Sequence, residues 1–201
     1  MMMSRILLTI FAATISITSF SQALSLRDDF DSNRLGWNEF VGKHRTAVIN
    51  DGVLHLETDK EKGIAISSCY APVDPKAPFE IKAKLIKTKI NDEEQGIGLV
   101  FNYLDDDNYD VFILSKDLIY YKRWRDGKRV GFRYGDLKID KRQKDHELNL
   151  KSGFDKIEFS VNNVKALEIR NAPLQYTGFG LFVWTDDDTQ AADIDYIEIK
   201  Q

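Results

Sequence analysis

From residue 24 onward the apolar positions recur with a period of two, in short runs separated by turn residues, and no helical periodicity extends beyond about two turns. Phe79, Ile81, Ala83 and Leu85 alternate with Glu80, Lys82 and Lys84, the signature of a strand with one buried and one wet face. Ile97, Leu99, Phe101 and Tyr103 alternate instead with Gly98, Val100 and Asn102, so that strand is expected inside a sheet covered on both sides. Further strands are predicted at 53–56, 109–114, 118–125, 128–134, 147–150, 156–161, 164–169, 178–184 and 193–200. Asn50-Asp51-Gly52, Asp126-Gly127 and Asn162-Asn163 supply residues that tolerate the positive backbone angles of tight hairpins. About twelve strands at this spacing predict an all-β fold of two antiparallel sheets packed face to face. Asp136 to Asp145 is expected to be a surface loop or short helix.

The first residues break this pattern. Arg5 precedes a mostly apolar run from Ile6 to Phe20, followed by small residues at Ser19, Ser21 and Ala23, which is the layout of a signal peptide over residues 1–21. Cleavage is expected after Ser21 or Ala23, leaving residues 24–201 as one sandwich domain with no membrane insertion. No cysteine stands near the cleavage sites for lipid attachment, and the lone Cys69 excludes an internal disulfide. An exported domain without paired cysteines points to a bacterial periplasm or exterior. Cys69 itself reads as a small buried apolar residue. Losing Arg5 takes the formal charge from −4 to −5, with both signs interspersed, so no attraction to nucleic acid is expected.

The ordered elements resemble a known family. Asp28-Asp29-Phe30-Asp31 with Trp37, then Asp51-Gly52-Val53-Leu54, Gly96-Ile97-Gly98-Leu99-Val100-Phe101, Asn108-Tyr109 and Tyr120-Tyr121 follow in order. Ile157-Glu158-Phe159, Gly178-Phe179-Gly180-Leu181 and Ile194-Asp195-Tyr196-Ile197 close the series. This order resembles the concanavalin A-like, laminin-G-like jelly rolls of exported bacterial proteins, including the domain related to 3-keto-disaccharide hydrolases. The resemblance implies the sandwich over nearly all of residues 24–201, and it describes packing more than chemistry.

Three sets of residues are candidates for chemistry. The leading one is a sugar-stacking surface of Tyr121, Arg123, Trp124, Trp184 and Asn102, in which rings offer apolar platforms and arginine and asparagine supply directed hydrogen bonds. Alternation already places Tyr121, Arg123 and Arg125 on one face of their strand and Tyr120, Lys122 and Trp124 on the other. The second is a structural calcium held by acidic groups at Asp28-Asp29-Asp31, Asp105-Asp106-Asp107 or Asp186-Asp187-Asp188, which the resemblance would place near Asp29 and Asp195. Turn formation and solubility explain such groups equally well. The third is a glucanase-like carboxylate row, Asp193, Asp195 and Glu198, where Glu198 falls on the opposite face unless a bulge intervenes and where the closing strand is not expected to be central. His44, His55 and His146 have no zinc-ligand spacing. The expectation is therefore an exported, non-catalytic module binding a glycan or cell-surface polymer. A glycoside-processing enzyme of the 3-keto-disaccharide hydrolase type and a structural or protein-interaction sandwich stand as alternatives.

Overall fold

A computed structural model describes residues 23–86, 88, 90, 95–116, 118–137, 143–172, 174–186 and 189–201. The leader falls on residues outside this set, as does part of the Asp136–Asp145 stretch. No helix among the described residues is long and apolar enough to cross a membrane.

The chain forms fifteen strands among the described residues. They are β1 (Ser25–Asp28), β2 (Phe40–Val41), β3 (Arg45–Asn50), β4 (Val53–Asp59), β5 (Ile64–Tyr70), β6 (Phe79–Ile86), β7 (Gln95–Asp105) and β8 (Asn108–Leu114). There follow β9 (Leu118–Arg125), β10 (Lys128–Asp136), β11 (His146–Ser152), β12 (Lys156–Val161), β13 (Val164–Arg170), β14 (Gly178–Thr185) and β15 (Thr189–Lys200). One sheet runs β13-β12-β11-β6-β15-β4-β3-β2, with β1 also pairing with β15; the other, of six strands, runs β10-β9-β8-β7-β14-β5. The predicted turns form as expected: Asp51, Gly52, Asp126, Gly127, Asn162 and Asn163 all have positive φ. β7 lies between β8 and β14 and is buried on both faces over Gln95–Tyr103, as its two-sided pattern requires.

The closing strand departs from expectation. β15 sits between β6 and β4, at the heart of the larger sheet, because the jelly-roll path returns the chain terminus between early strands. β3 and β5 were not among the predicted strands: Arg45–Asn50 is bounded by polar residues, and β5 carries Ser67, Ser68 and Cys69 where an apolar strand was sought.

Between the sheets lies one continuous core. Phe112 of the six-stranded sheet stacks on Phe159 of the other, with ring centroids 4.7 Å apart and planes 2° from parallel. Phe79 meets Phe179 edge-on at 5.5 Å, and Leu54, Ile81, Leu85, Leu99 and Ile197 fill the layer. Rings of this size dominate core energetics. Asp28, expected among calcium ligands, is buried and accepts hydrogen bonds from Phe30 N and Trp37 Nε1, each at 3.0 Å, fastening the opening loop over the core. Cys69 is 1% exposed, and burial first, with Asp28 second, pushes its thiol up to about 12. The thiolate is the reactive form. A maleimide or disulfide reagent should therefore leave the native protein untouched at pH 8 and label one thiol per chain in denaturant; rapid native labelling would contradict this burial.

The two outer faces differ in kind. On the larger sheet, β12 and β13 carry an ion-pair lattice: Lys156 and Lys165 reach Glu158 at 2.5 and 3.1 Å, and Lys165 and Arg170 reach Glu168 at 2.6 and 2.8 Å. Hydrogen bonds from Lys156 and Lys165 hold the half-buried Glu158 carboxyl down at about 2. The lattice continues through Glu80 with Lys82 and Lys151, and through Glu198 with Lys200. Such exposed pairs give a wetted, soluble face and little stability each. The six-stranded sheet instead turns a second apolar cluster outward, of Ile66, Val100, Tyr103, Tyr109, Val111, Ile113 and Phe182, with Tyr120, Trp124 and Trp184 packed on it.

Candidate functional site: the outer face of the six-stranded sheet

Strand pairing assembles this face from distant segments. Tyr109 of β8 is registered against Trp124 of β9, and their rings stack with centroids 6.1 Å apart. Ile113 pairs with Tyr120 and Val111 with Lys122, so Tyr120, Lys122 and Trp124 form one outward row. β10 adds Phe132 opposite Lys122 and Tyr134 opposite Tyr120. The Tyr120 and Phe132 rings lie 6.0 Å apart, as do those of Phe132 and Tyr134.

Trp184 enters from β14, which is separated from β9 by β7 and β8. Three inter-strand steps span about 14 Å on a flat sheet. Even so, the Trp184 and Tyr120 rings meet edge-on at 6.5 Å, and the Lys122 Nζ sits 4.2 Å from the Trp184 ring centroid. The intervening outward positions of β7 are Gly96 and Gly98, so β7 places no side chain between the two rows and only Ile113 of β8 stands there. A Cβ at Gly96 would lie 3.4 Å from Trp184 Cε3 and 2.3 Å from Ile113 Cγ2. Burial, and then Arg129, lower the Lys122 pKa. The ammonium is held by ring faces, an arrangement that favours a cation over a π surface.

At the other end of the face lies a cleft of about 240 Å³. Its walls include Ile64 and Ile66 of edge strand β5 together with Tyr109 and Trp124 from across the sheet, so the face is hollowed. Arg45 and Lys62 supply cationic groups, and Asp106 and Asp107, at the tip of the β7–β8 hairpin, supply carboxylates. Trp124 and Trp184 are both half-buried, with ring surface reaching solvent. Trp184 Nε1 donates to Asp186 at 3.2 Å.

The five residues proposed from the sequence as one surface divide between two faces. Trp124 lines the hollow, and Trp184 packs on the same outer face beyond it. Tyr121 points the other way, into the core, where its ring lies 5.3 Å from Phe112. Asn102, at a bulge with φ 50°, is 1% exposed; its side-chain oxygen accepts from Gln175 N and Tyr176 N, and its amide donates to Asp110 at 3.2 Å. Arg123 joins them around Asp110, donating from Nε and Nη2 at 2.9 and 2.8 Å, while Arg125 Nη2 lies 3.0 Å from the same carboxylate. Asp110 went unnoticed, although an acid inside the apolar run Tyr109–Leu114 is the signal to look for. Arg45, Lys62 and Tyr109 were also missed, because only strand pairing brings them beside Trp124.

Asp29 forms an ion pair with Arg27 at 2.6 Å, and Asp195 stands exposed at a bulge of β15. Among the described residues, no group of three or more His, Cys, Asp or Glu side chains is placed to hold a metal ion. The bulge between Ile194 and Tyr196 does bring Glu198 to the face of Asp193. That face is the charged one. Asp193 is engaged by His55 Nδ1 at 2.7 Å and Glu198 by Lys200 at 2.8 Å.

No family model matches the sequence, and no curated protein matches it. Solved structures do. The carbohydrate binding module CBM66 from Bacillus subtilis superposes with a TM-score of 0.59 at 15% identity, covering 80% of this chain and 94% of that one. The Emp47p carbohydrate recognition domain gives 0.61 at 12% identity, covering 87% and 93%. A Bacillus licheniformis beta-glucanase gives 0.60 at 12% identity, covering 88% and 98%. At such identities the likeness is one of fold: the protein is a concanavalin A-like jelly-roll sandwich.

Proposed function

We propose that the protein is an exported, non-catalytic carbohydrate-binding sandwich whose glycan lies in the hollow of the six-stranded sheet. The observation that carries this reading is the asymmetry of the outer faces: one is a lattice of ion pairs, the other an aromatic floor with polar groups at its rim. Exposed ring surface is costly to leave facing water unless something uses it. A sugar ring matches it, with an apolar C–H face for Trp124 and Trp184 and hydroxyls for Arg45, Lys62, Asp106 and Asp107. Two similar folds are a carbohydrate binding module and a carbohydrate recognition domain, which supports a sugar over other apolar ligands.

The test is a glycan array followed by affinity measurement on the best binder, with Trp124→Ala, Trp184→Ala and, on the opposite sheet, Lys151→Ala. Each tryptophan variant should lose at least tenfold in affinity, about 1.4 kcal/mol, in line with a buried aromatic anchor. Lys151→Ala should bind like the parent. Equal loss in all three, or none in the tryptophan variants, would remove the hollow as the site.

A further inference from the structure

A second cleft opens on the side of the sandwich, between the edges of β10 and β13. The inward positions of β10 are Gly131, Arg133 and Gly135, registered against Arg123, Tyr121 and Ile119, so this edge strand contributes no apolar side chain to the core. At Gly135 the two sheets touch: a Cβ there would lie 3.0 Å from the Ala166 carbonyl oxygen. Toward Gly131 they part, leaving about 470 Å³ lined by Tyr121, Arg123, Phe132, Arg133, Glu168 and Arg170, among others. A Cβ on Gly131 would press to 3.1 Å from the Arg123 Cβ and 3.9 Å from the Tyr121 ring. Glycine at this position is what keeps the floor of the cleft clear.

The charges around the cleft do not balance. The buried Asp110 carboxylate is shared by two guanidiniums, Arg123 and Arg125. Glu158 and Glu168 are shared by three cations, Lys156, Lys165 and Arg170. Arg133 is exposed, and its hydrogen bond goes to the carbonyl of Phe132, with no carboxylate within ion-pair distance among the described residues. The lining itself holds three arginines, Arg123, Arg133 and Arg170, against one carboxylate, Glu168, although the chain as a whole is acidic. Guanidinium groups match the planar fork of a carboxylate. The Tyr121 ring, 3.9 Å from where a Gly131 Cβ would stand, adds an apolar wall beside them.

From this we infer a second ligand site, for the carboxylate-bearing ring of a hexuronate saccharide, with Arg133 as its principal anion contact. The cleft is of the size that takes a small ligand, and the pairing of a guanidinium with a ring wall suits an acidic sugar better than a bare anion. This site is separate from the outer hollow, and its existence does not depend on that reading.

The probe is digalacturonate, titrated calorimetrically into the purified protein at low salt, with digalactose and inorganic sulfate alongside. Digalacturonate should bind at least tenfold more tightly than either. Arg133→Ala should weaken it at least tenfold, Gly131→Val should do the same by filling the floor, and Trp124→Ala should retain it. Arg133 is exposed, so an unchanged melting temperature certifies that variant as folded. Binding of digalactose or sulfate as tight as that of digalacturonate would overturn the inference. So would full affinity in Arg133→Ala, loss in Trp124→Ala, or no digalacturonate binding at all.

Discussion

Replacing Asp110 with alanine is expected to destabilise the protein by about 3 kcal/mol, lowering the melting temperature by roughly 6–12 °C for a domain of this size. The carboxylate is wholly buried, and four side chains converge on it: Arg123, Arg125, Asn102 and, at 3.4 Å, the Tyr121 hydroxyl. Removing it leaves two guanidiniums facing each other with no anion between them, each with under a quarter of its side chain in water. It also frees Asn102, whose other end fastens the Gln175–Tyr176 segment to the sheet. Asp110→Asn keeps an oxygen for one donor but loses the charge, so an intermediate effect is expected. The measurement is thermal melting followed by circular dichroism, and a shift under about 2 °C for the alanine variant would show that the cluster is not structural. Glycan binding should be affected little in the fraction that remains folded, because Asp110 faces the core side of β8 while Tyr109 faces the hollow.

The same cluster shows how much of the site could be read in advance. Alternation along β9 correctly separates Tyr121, Arg123 and Arg125 from Tyr120, Lys122 and Trp124, since a strand's period of two is a local property. Which row faces the core is not local. It depends on which face of the sheet the fold covers, and here Tyr121 shares the covered face with its neighbours Phe101 and Phe112. Asn102 reads as an outward polar residue until the bulge between Phe101 and Asp105 turns it inward. The hairpins were legible because Asp-Gly and Asn-Asn carry their backbone preference with them. The position of β15 was not, because nothing within Asp193–Lys200 records which strands arrive on either side of it.

Glycines were legible as letters but not as distances. Among the glycines of the six-stranded sheet, Gly98 is the most severe: a Cβ there would lie 2.2 Å from the Phe112 carbonyl oxygen and 3.1 Å from its carbonyl carbon. Both atoms are backbone, fixed by the β7–β8 ladder, so they cannot turn aside as a side chain can. Gly98→Ala is therefore expected to cost more than the roughly 1–3 kcal/mol of an ordinary overpacked core, and to leave little folded protein at 37 °C. Gly96→Ala is its control. The nearest atom in its way, Ile113 Cγ2, belongs to a side chain, and the nearest backbone atom, the Leu114 carbonyl oxygen, is at 3.2 Å and needs only a small shift, so this variant should lose less stability than Gly98→Ala. Its consequence should appear in binding instead, because the added methyl also sits against Trp184 Cε3 and lifts the ring that reaches toward Tyr120 and Lys122. Soluble yield and melting temperature check the first expectation, and the glycan titration checks the second. A Gly98→Ala protein as stable as the parent would mean that β7 and β8 can separate at this point. The hollow above them would then be adaptable, and its aromatic floor would not owe its shape to the two glycines.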